Sequence, residues 1–513
     1  MISPVQSGTL SGIEARGVQV EVSPIRGLPG FDVVGLPEAA VRESRVRVQA
    51  ALMNAGYALP EQRFVVNLAP ADLRKTGSAF DLAIAIALLA QCGMCAPNKL
   101  AETLIIGELS LDGHLRPVRG LLPQLRGAQA RGLAAAIVPD GDSAWSELVA
   151  GMEVRCAAHL REVVAFLGAE GQLALPPRLG APTDDDGADL CDVRGQHGAK
   201  RALEIAAAGN HNLLMIGPPG AGKSMLAQRL PGLLPPLASD EILDVSMIHS
   251  LSGTLPEGGL LSHRPFRDPH HSASVPSIVG GGARAKPGEI SLAHLGVLFL
   301  DELPEFQRGA LEALRQPLET GNVSVSRVNA HVNYPARFQL VAAMNPCRCG
   351  YLDDPAQACS RAPKCARDYQ AKISGPLYDR IDLHVDVAAV SPMDLTLPPP
   401  AESSVDVAAR VQVARDIQRT RYAGIDDAAG IRTNAEVDGK LLEQVATPDA
   451  GGKELLASAL ERMHLSARGY HRVLRVARTL ADLEGCNQVG RIHVAEALSF
   501  RRIMPGTSLS ALA

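Results

Sequence analysis

Residues 217–224 read Gly-Pro-Pro-Gly-Ala-Gly-Lys-Ser and directly follow the apolar run Leu213-Leu214-Met215-Ile216. Glycine lets a main chain wrap a phosphate with its N–H groups pointing inward, and a helix opening just beyond adds the positive end of its dipole. In such a loop Gly217, Pro218, Pro219, Gly220, Ala221 and Gly222 form the cradle. Lys223 reaches the β- and γ-phosphates and the Ser224 hydroxyl ligates magnesium. A strand, this loop and a helix expected from Met225 are in the order that nucleoside triphosphate binding requires.

A second constellation turns binding into hydrolysis. Val297-Leu298-Phe299-Leu300 reads as a strand buried on both faces and ends in Asp301-Glu302. Chemistry gathers at the carboxyl ends of parallel strands. Asp301 is placed to hold magnesium, and Glu302 to act as the base that orients the attacking water. Gln339 to Met344 is another apolar strand, and it puts Asn345 where it can help position that water. Arg380 ends a helix-like segment ahead of the apolar Ile381-Asp382-Leu383. Its permanent, forked charge suits the γ-phosphate of a neighbouring subunit. The alternative is a surface arginine paired with Asp379 or Asp382.

Cys347, Cys349, Cys359 and Cys365 crowd into one short stretch. In a reducing compartment such a cluster reads as a tetrahedral zinc site before it reads as disulfides, with unliganded thiols as the alternative. Composition bounds the rest. A chain of 513 residues needs more than one core. No apolar stretch approaches the ~18 residues that span a bilayer, and Met1-Ile2-Ser3-Pro4 resembles no signal peptide. A cytoplasmic protein without membrane contact is expected. The net charge of −5 and 3% aromatic content leave no global basic footprint and few stacking platforms. Bound DNA would be held mainly through phosphates, by basic loops concentrated in a pore.

The elements that position these residues imply an α/β protein in three parts. Residues 1–175 alternate strand and helix patterns: Val18 to Val22, Arg63 to Leu68 and Ala135 to Val138 are strand-like, and Asp81 to Leu89 is an apolar helix. Residues 176–189 have linker composition. Residues 190–391 carry the phosphate loop on a parallel sheet, with a Cys-rich insert at 347–365. Residues 392–513 are helical, with candidate helices at 408–421, 453–463, 468–483 and 493–501. The stretch from Lys223 to Asp301 is longer than one strand–helix–strand unit. It contains an insert rich in Gly, Pro, His and Arg, including Arg264, Arg267, His270, His271, Arg284 and Lys286. A period-two hairpin strand is expected over 322–328.

These motifs resemble those of magnesium-chelatase-like AAA+ ATPases, and the whole chain resembles their ComM/YifB family. The marks are Gly217–Ser224, Val297–Phe306 (VLFLDELPEF), Gln316–Gly321 (QPLETG), Ala343–Cys349 (AMNPCRC), Ser374–Leu383 (SGPLYDRIDL) and Ser466–Asp482 (SARGYHRVLRVARTLAD). The resemblance implies an AAA+ core with a helical C-terminal lid. Lys223 and Ser224 become Walker A residues, Asp301 and Glu302 Walker B, and Asn345 sensor 1. Arg380 becomes an arginine finger acting in trans and Arg468 sensor 2, with Arg472 and Arg475 as neighbouring alternatives. It further implies ATP and magnesium as cofactors and a homohexameric ring that acts as a helicase on single-stranded and branched DNA. Such rings drive branch migration in recombination during natural transformation. By the same resemblance, Arg284, Lys286 and Arg327 belong to loops facing the DNA channel.

The N-terminal part is similar to the proteolytic (S5-type) domain of Lon proteases around Lys75–Asp81 and Ile106–Ser110. Where those enzymes place a lysine base, this chain reads Arg119-Gly120-Leu121-Leu122. A leucine cannot accept the Ser78 proton, so a Lon-like but proteolytically inert domain is expected. Two rival functions remain: a chelatase-type or protein-remodelling ATPase, and an ATP-dependent protease.

Overall fold

The computed structural model describes residues 4–75, 77–140, 149, 151–176, 188–255, 261–282, 285–327, 330–352, 359, 362–389, 402–425, 428, 430–463 and 465–501. The chain divides into two compact units, Met1–Thr183 with Ser239–Ser262, and Asp184–Ala238 with His263–Ala513. No helix among the described residues is long and apolar enough to cross a membrane.

The first unit is built on a mixed seven-stranded sheet. Its order is Gly30–Val34, Arg63–Ala69, Glu14–Ile25, Val5–Ser11, Thr103–Ile105, Ala135–Pro139 and Glu153–Ala157. The helix Asp81–Gln91 is apolar all round, and it is buried from Asp81 to Ala90. Asp81 is tolerated there because Arg47 Nε donates to its carboxylate at 2.7 Å and the Ser44 hydroxyl donates as well. The helix Ser239–Ser252 interrupts the core expected over 190–391. Its Leu243 and Met247, with Leu255, pack against Leu121, Leu122 and Leu125 of the first unit.

The second unit carries five parallel strands in the order Phe266–Arg267, Val297–Leu300, Gln339–Met344, Leu213–Ile216 and Leu383–Asp386. Every residue of the three middle strands is buried, as continuous apolar runs demand. The C-terminal helices do not form a core of their own. Val407 and Val411 of Ser404–Ala423, and Val473 and Leu480 of Ala467–Leu483, join Leu203 and Ile205 of His197–Gly209 in one apolar cluster with the sheet. The amphipathic stripe of Ala467–Leu483 is wide enough to be drawn onto that core rather than left as a separate lid.

His294 precedes the strand Val297–Leu300. It is 5% exposed, and its Nδ1 accepts the Arg337 backbone N–H at 3.0 Å. Burial holds its pKa down from 6.5 to about 3, with the Arg337 and Arg432 cations adding to the effect. The folded site therefore refuses a proton that the unfolded chain accepts below about pH 6.5. This contribution to stability is intact above that pH and is lost progressively as the pH falls toward 3, by an amount on the order of a few kcal/mol. Asn in place of His294 keeps an acceptor but removes the titration. Urea-unfolding midpoints of His294→Asn should fall less steeply between pH 6.5 and 4 than those of the parent chain; equal slopes would remove His294 as a source of acid sensitivity.

Candidate nucleotide site

The parallel register assembles the site. Ile216 pairs with Met344 and Leu300 with Ala342, so the strands Leu213–Ile216, Val297–Leu300 and Gln339–Met344 end side by side. Their next residues are the phosphate loop, Asp301-Glu302 and Asn345. Gly217 donates its N–H to the Met344 carbonyl at 3.2 Å. A Cβ on Gly217 would lie 2.1 Å from the Val387 carbonyl oxygen, so a side chain is barred at the loop's first position. Gly220 and Gly222 take positive φ of 76° and 88°, the backbone freedom that a phosphate wrap requires. The helix opens at Lys223, two residues before the expected Met225.

Lys223 donates to the carbonyls of Gly217 at 2.8 Å and Pro218 at 2.9 Å, and to Asn345 Oδ1 at 3.2 Å. Burial lowers its pKa, while Asp301 and Glu302 work in the opposite direction. Its ammonium is thus held inside the loop by neutral oxygens that a phosphate can replace. Ser224 Oγ donates to Asp301 Oδ2 at 2.7 Å, bringing together the hydroxyl and carboxylate that suit a magnesium ion and its waters. Asp301 Oδ1 also accepts the Glu302 backbone N–H at 2.8 Å. Glu302 itself sits at φ 52°, in the left-handed region that non-glycine residues rarely occupy. That turn leaves its carboxylate half-exposed beside the loop.

His271 was not assigned a role from sequence. Its Nδ1 lies 3.3 Å from Glu302 Oε2, and its ring meets that of His270 at a tilt of 33°, with centroids 4.1 Å apart. The insert delivers it: the edge strand Phe266–Arg267 runs parallel to Val297–Leu300 and ends just before Asp268-Pro269-His270-His271. Asp268 is partly buried, and both burial and the nearby Asp301 charge push its carboxyl pKa up. The only local signal in the sequence was the density of His and Arg in that insert.

The arginines assemble elsewhere. Arg380 precedes the strand Leu383–Asp386, which runs parallel to Leu213–Ile216, and its carbonyl accepts from Asn212 Nδ2 at 3.0 Å. Asn212 and Gly217 flank opposite ends of Leu213–Ile216, about 16 Å apart along the strand at roughly 3.3 Å per residue. Arg380 therefore stands at the edge of the sheet opposite its own phosphate loop. Arg380, Arg468, Arg472 and Arg475 line one cavity of about 520 Å³ together with Glu319 and Arg337, and no phosphate-loop residue reaches it. Arg380 is 6% exposed and its Nη2 pairs with Glu319, not with Asp379 or Asp382. Asp382 instead takes Arg472 Nη1, and His211 Nδ1 stands 3.7 Å from it. Burial alone would raise the Asp382 pKa, but the Arg472 and His211 interactions hold it well below the usual carboxylate range. The Nε groups of Arg380 and Arg472 are buried without a partner among the described residues.

The remaining candidates fall as follows. Cys347, Cys349, Cys359 and Cys365 come together, with their sulfurs all within 4.8 Å of one another. Arg264 donates to the Pro235 and Leu295 carbonyls and Arg267 pairs with Glu289, so both tie the insert to the core. Lys286 is exposed on the short ladder Gly280–Gly281 with Lys286–Pro287. Arg284 and the Arg327 side chain lie outside the described residues, although Arg327 closes the hairpin strand Asn322–Arg327. In the first unit, Leu121 and Leu122 are buried, and Lys75 turns its ammonium to the Pro70 carbonyl. The Ser78 hydroxyl donates to Glu108, an acceptor that sequence reasoning had not paired with it.

Comparison with known proteins gives three family matches along the chain. Residues 189–395 match the family described as magnesium chelatase, subunit ChlI; residues 401–501 match its C-terminal part, and residues 18–142 match subunit ChlI of Mg-chelatase. An uncharacterized protein of Mycobacterium tuberculosis is 45% identical over 97% of this chain and 98% of its own length. The uncharacterized protein YifB of Escherichia coli is 43% identical over 98% of this chain and 97% of its own. Competence protein ComM of Haemophilus influenzae is 42% identical over the same shares of the two chains.

Proposed function

The chain belongs to the YifB/ComM family of magnesium-chelatase-like AAA+ ATPases, and from that premise we propose that it is a hexameric, ATP-driven DNA motor that promotes branch migration during natural transformation. The observation that carries the ring is the placement of Arg380 at the opposite sheet edge from Lys223. A finger that cannot reach its own phosphates has chemistry to do only on a neighbour's. Arg468 lines the same cavity, so its sensor 2 role is likewise directed at the adjoining subunit. The nearly full-length likeness to a competence protein supports DNA as the substrate of the motor.

The contacts support the following roles. Ser224 and Asp301 would hold a magnesium ion, which would supply charge neutralisation on the phosphates. Lys223 would exchange its carbonyl partners for phosphate oxygens, with Asn345 keeping that ammonium aimed. Glu302 takes the proton of the attacking water once His271 releases its carboxylate. Arg380, released from Glu319, stabilises transition-state charge from across the interface. A chelatase-type or protein-remodelling ATPase is the second reading, favoured by the names of the matching families.

Replacing Glu302 with Gln should leave ATP affinity and ring assembly within about twofold while lowering turnover by 10² or more, the range of a lost general base. A Glu302→Gln chain that hydrolyses ATP at near-parent rates would show that the base lies elsewhere.

The DNA reading is tested by ATPase rate and oligomer mass with and without a synthetic four-way junction. We expect both to rise with the junction, and the stimulation to fall as salt increases because phosphate contacts release counterions. Replacing Arg284, Lys286 and Arg327 with Ala should reduce the stimulation and flatten its salt dependence. Stimulation by unfolded protein but not by DNA would favour the second reading.

A further inference from the structure

The turn that carries Cys347 and Cys349 packs at Gly350 against Pro219 of the phosphate loop, and nothing in the proposed ATPase mechanism uses the four-cysteine cluster. We propose that Cys347, Cys349, Cys359 and Cys365 bind one zinc ion, and that this site clamps the Asn345 turn onto the phosphate loop. The coupling half of this proposal rests on the nucleotide-site reading above; the metal half does not.

The sulfurs have the right spread for a single ion. Four zinc–sulfur bonds of about 2.3 Å in a tetrahedron put sulfurs about 3.8 Å apart. Here all four lie within 4.8 Å of one another, and Cys347 and Cys349 are 3.0 Å apart. That is too far for a disulfide at about 2.05 Å, and none of the four is in a disulfide. A set this compact fits one ion better than a multi-iron cluster, whose thiolates bind separate irons. Cys347 is buried and Cys359 and Cys365 are half-buried, so the thiolates are shielded while the site keeps an open side at Cys349.

The position of the cluster gives the ion a task. Asn345, which holds the Lys223 ammonium, lies two residues before Cys347. The turn closes with Gly350 N–H donating to the Cys347 carbonyl at 3.0 Å. Gly350 has φ +87°, and a Cβ there would come 2.5 Å from Cδ of Pro219, a residue of the phosphate loop. From the other side, Gln370 Nε2 donates to the Pro346 carbonyl at 2.8 Å, and Gln370 shares the helix Lys364–Gln370 with Cys365. An ion joining Cys347 and Cys349 to Cys359 and Cys365 therefore fixes the turn between Asn345 and Pro219 to that helix. Because each bond is made by a thiolate, binding releases protons and is reversed by thiol oxidation.

The test uses the full-length chain. Elemental analysis of the purified protein should find one zinc per chain, released stoichiometrically as a mercurial reagent titrates four thiols. Exchange into cobalt(II) should give the intense visible bands of tetrahedral thiolate coordination. Cys359→Ser with Cys365→Ser should lose both signals. Gly350→Ala should keep the zinc but weaken ATP binding about tenfold, whereas a surface control, Arg348→Ala, should change neither. No metal and no cobalt–thiolate spectrum, or stoichiometric iron in place of zinc, overturns the zinc assignment. Zinc present, with parent-like ATP affinity in both Gly350→Ala and the zinc-stripped chain, overturns the clamp. A zinc-loaded Lys223→Ala chain that still bound ATP as tightly as the parent would count against the nucleotide-site reading instead.

Discussion

Everything in the second unit depends on the parallel pairing of Leu213–Ile216 with the strands Gln339–Met344 and Leu383–Asp386. Parallel strands bury both faces and send all their carboxyl ends the same way. One edge of the sheet therefore collects the phosphate loop, Asp301, Glu302 and Asn345. The other edge collects Asn212, Arg380 and Asp382. In the proposed mechanism hydrolysis draws on groups from both ends of the strands, and no local adjustment can carry a guanidinium across the length of a strand. The register makes one chain half an active site twice over.

Each half is held in a closed but displaceable state. Lys223 is satisfied by two carbonyls and Asn345, Ser224 by Asp301, Glu302 by His271 and Arg380 by Glu319. These partners prevent buried charge from standing uncompensated, which would be costly. Each is also a group that phosphate, magnesium, water or a neighbouring subunit can replace. The His271 contact ties the Glu302 carboxylate to the same insert that carries the exposed Lys286.

The grouping of the phosphate loop, Asp301-Glu302 and Asn345 at the strand ends was legible in the sequence because its signals are local. An apolar run followed by Gly-Pro-Pro-Gly-Ala-Gly-Lys-Ser, or by Asp-Glu, states both the strand and what stands at its end. Period-two alternation likewise located the strand Asn322–Arg327, with Val323 and Val325 buried. Partner choice was not legible. Arg380 has two acidic neighbours in sequence yet pairs with Glu319, because Asp382 is taken by Arg472 and fully buried. His271 meets Glu302 only because two strands lie side by side in space. The helix Ser239–Ser252 joins the first unit through Met247 and Leu243, residues as apolar as any that would have served the second. The C-terminal helices were expected apart, yet they share the sheet's core through faces whose pattern says only that something must cover them.

The central claim is that Lys223 and Arg380 act on the same nucleotide from different chains. Mixing Lys223→Ala chains with Arg380→Ala chains tests it most directly, with mixed assemblies verified by mass. Each variant alone should be nearly inactive, since an arginine finger contributes on the order of 10³ or more in rate. Mixed rings should regain a measurable fraction of the parent ATPase, because some interfaces then join an intact phosphate loop to an intact finger. Mixed rings that form but stay as inactive as either variant alone would contradict the account.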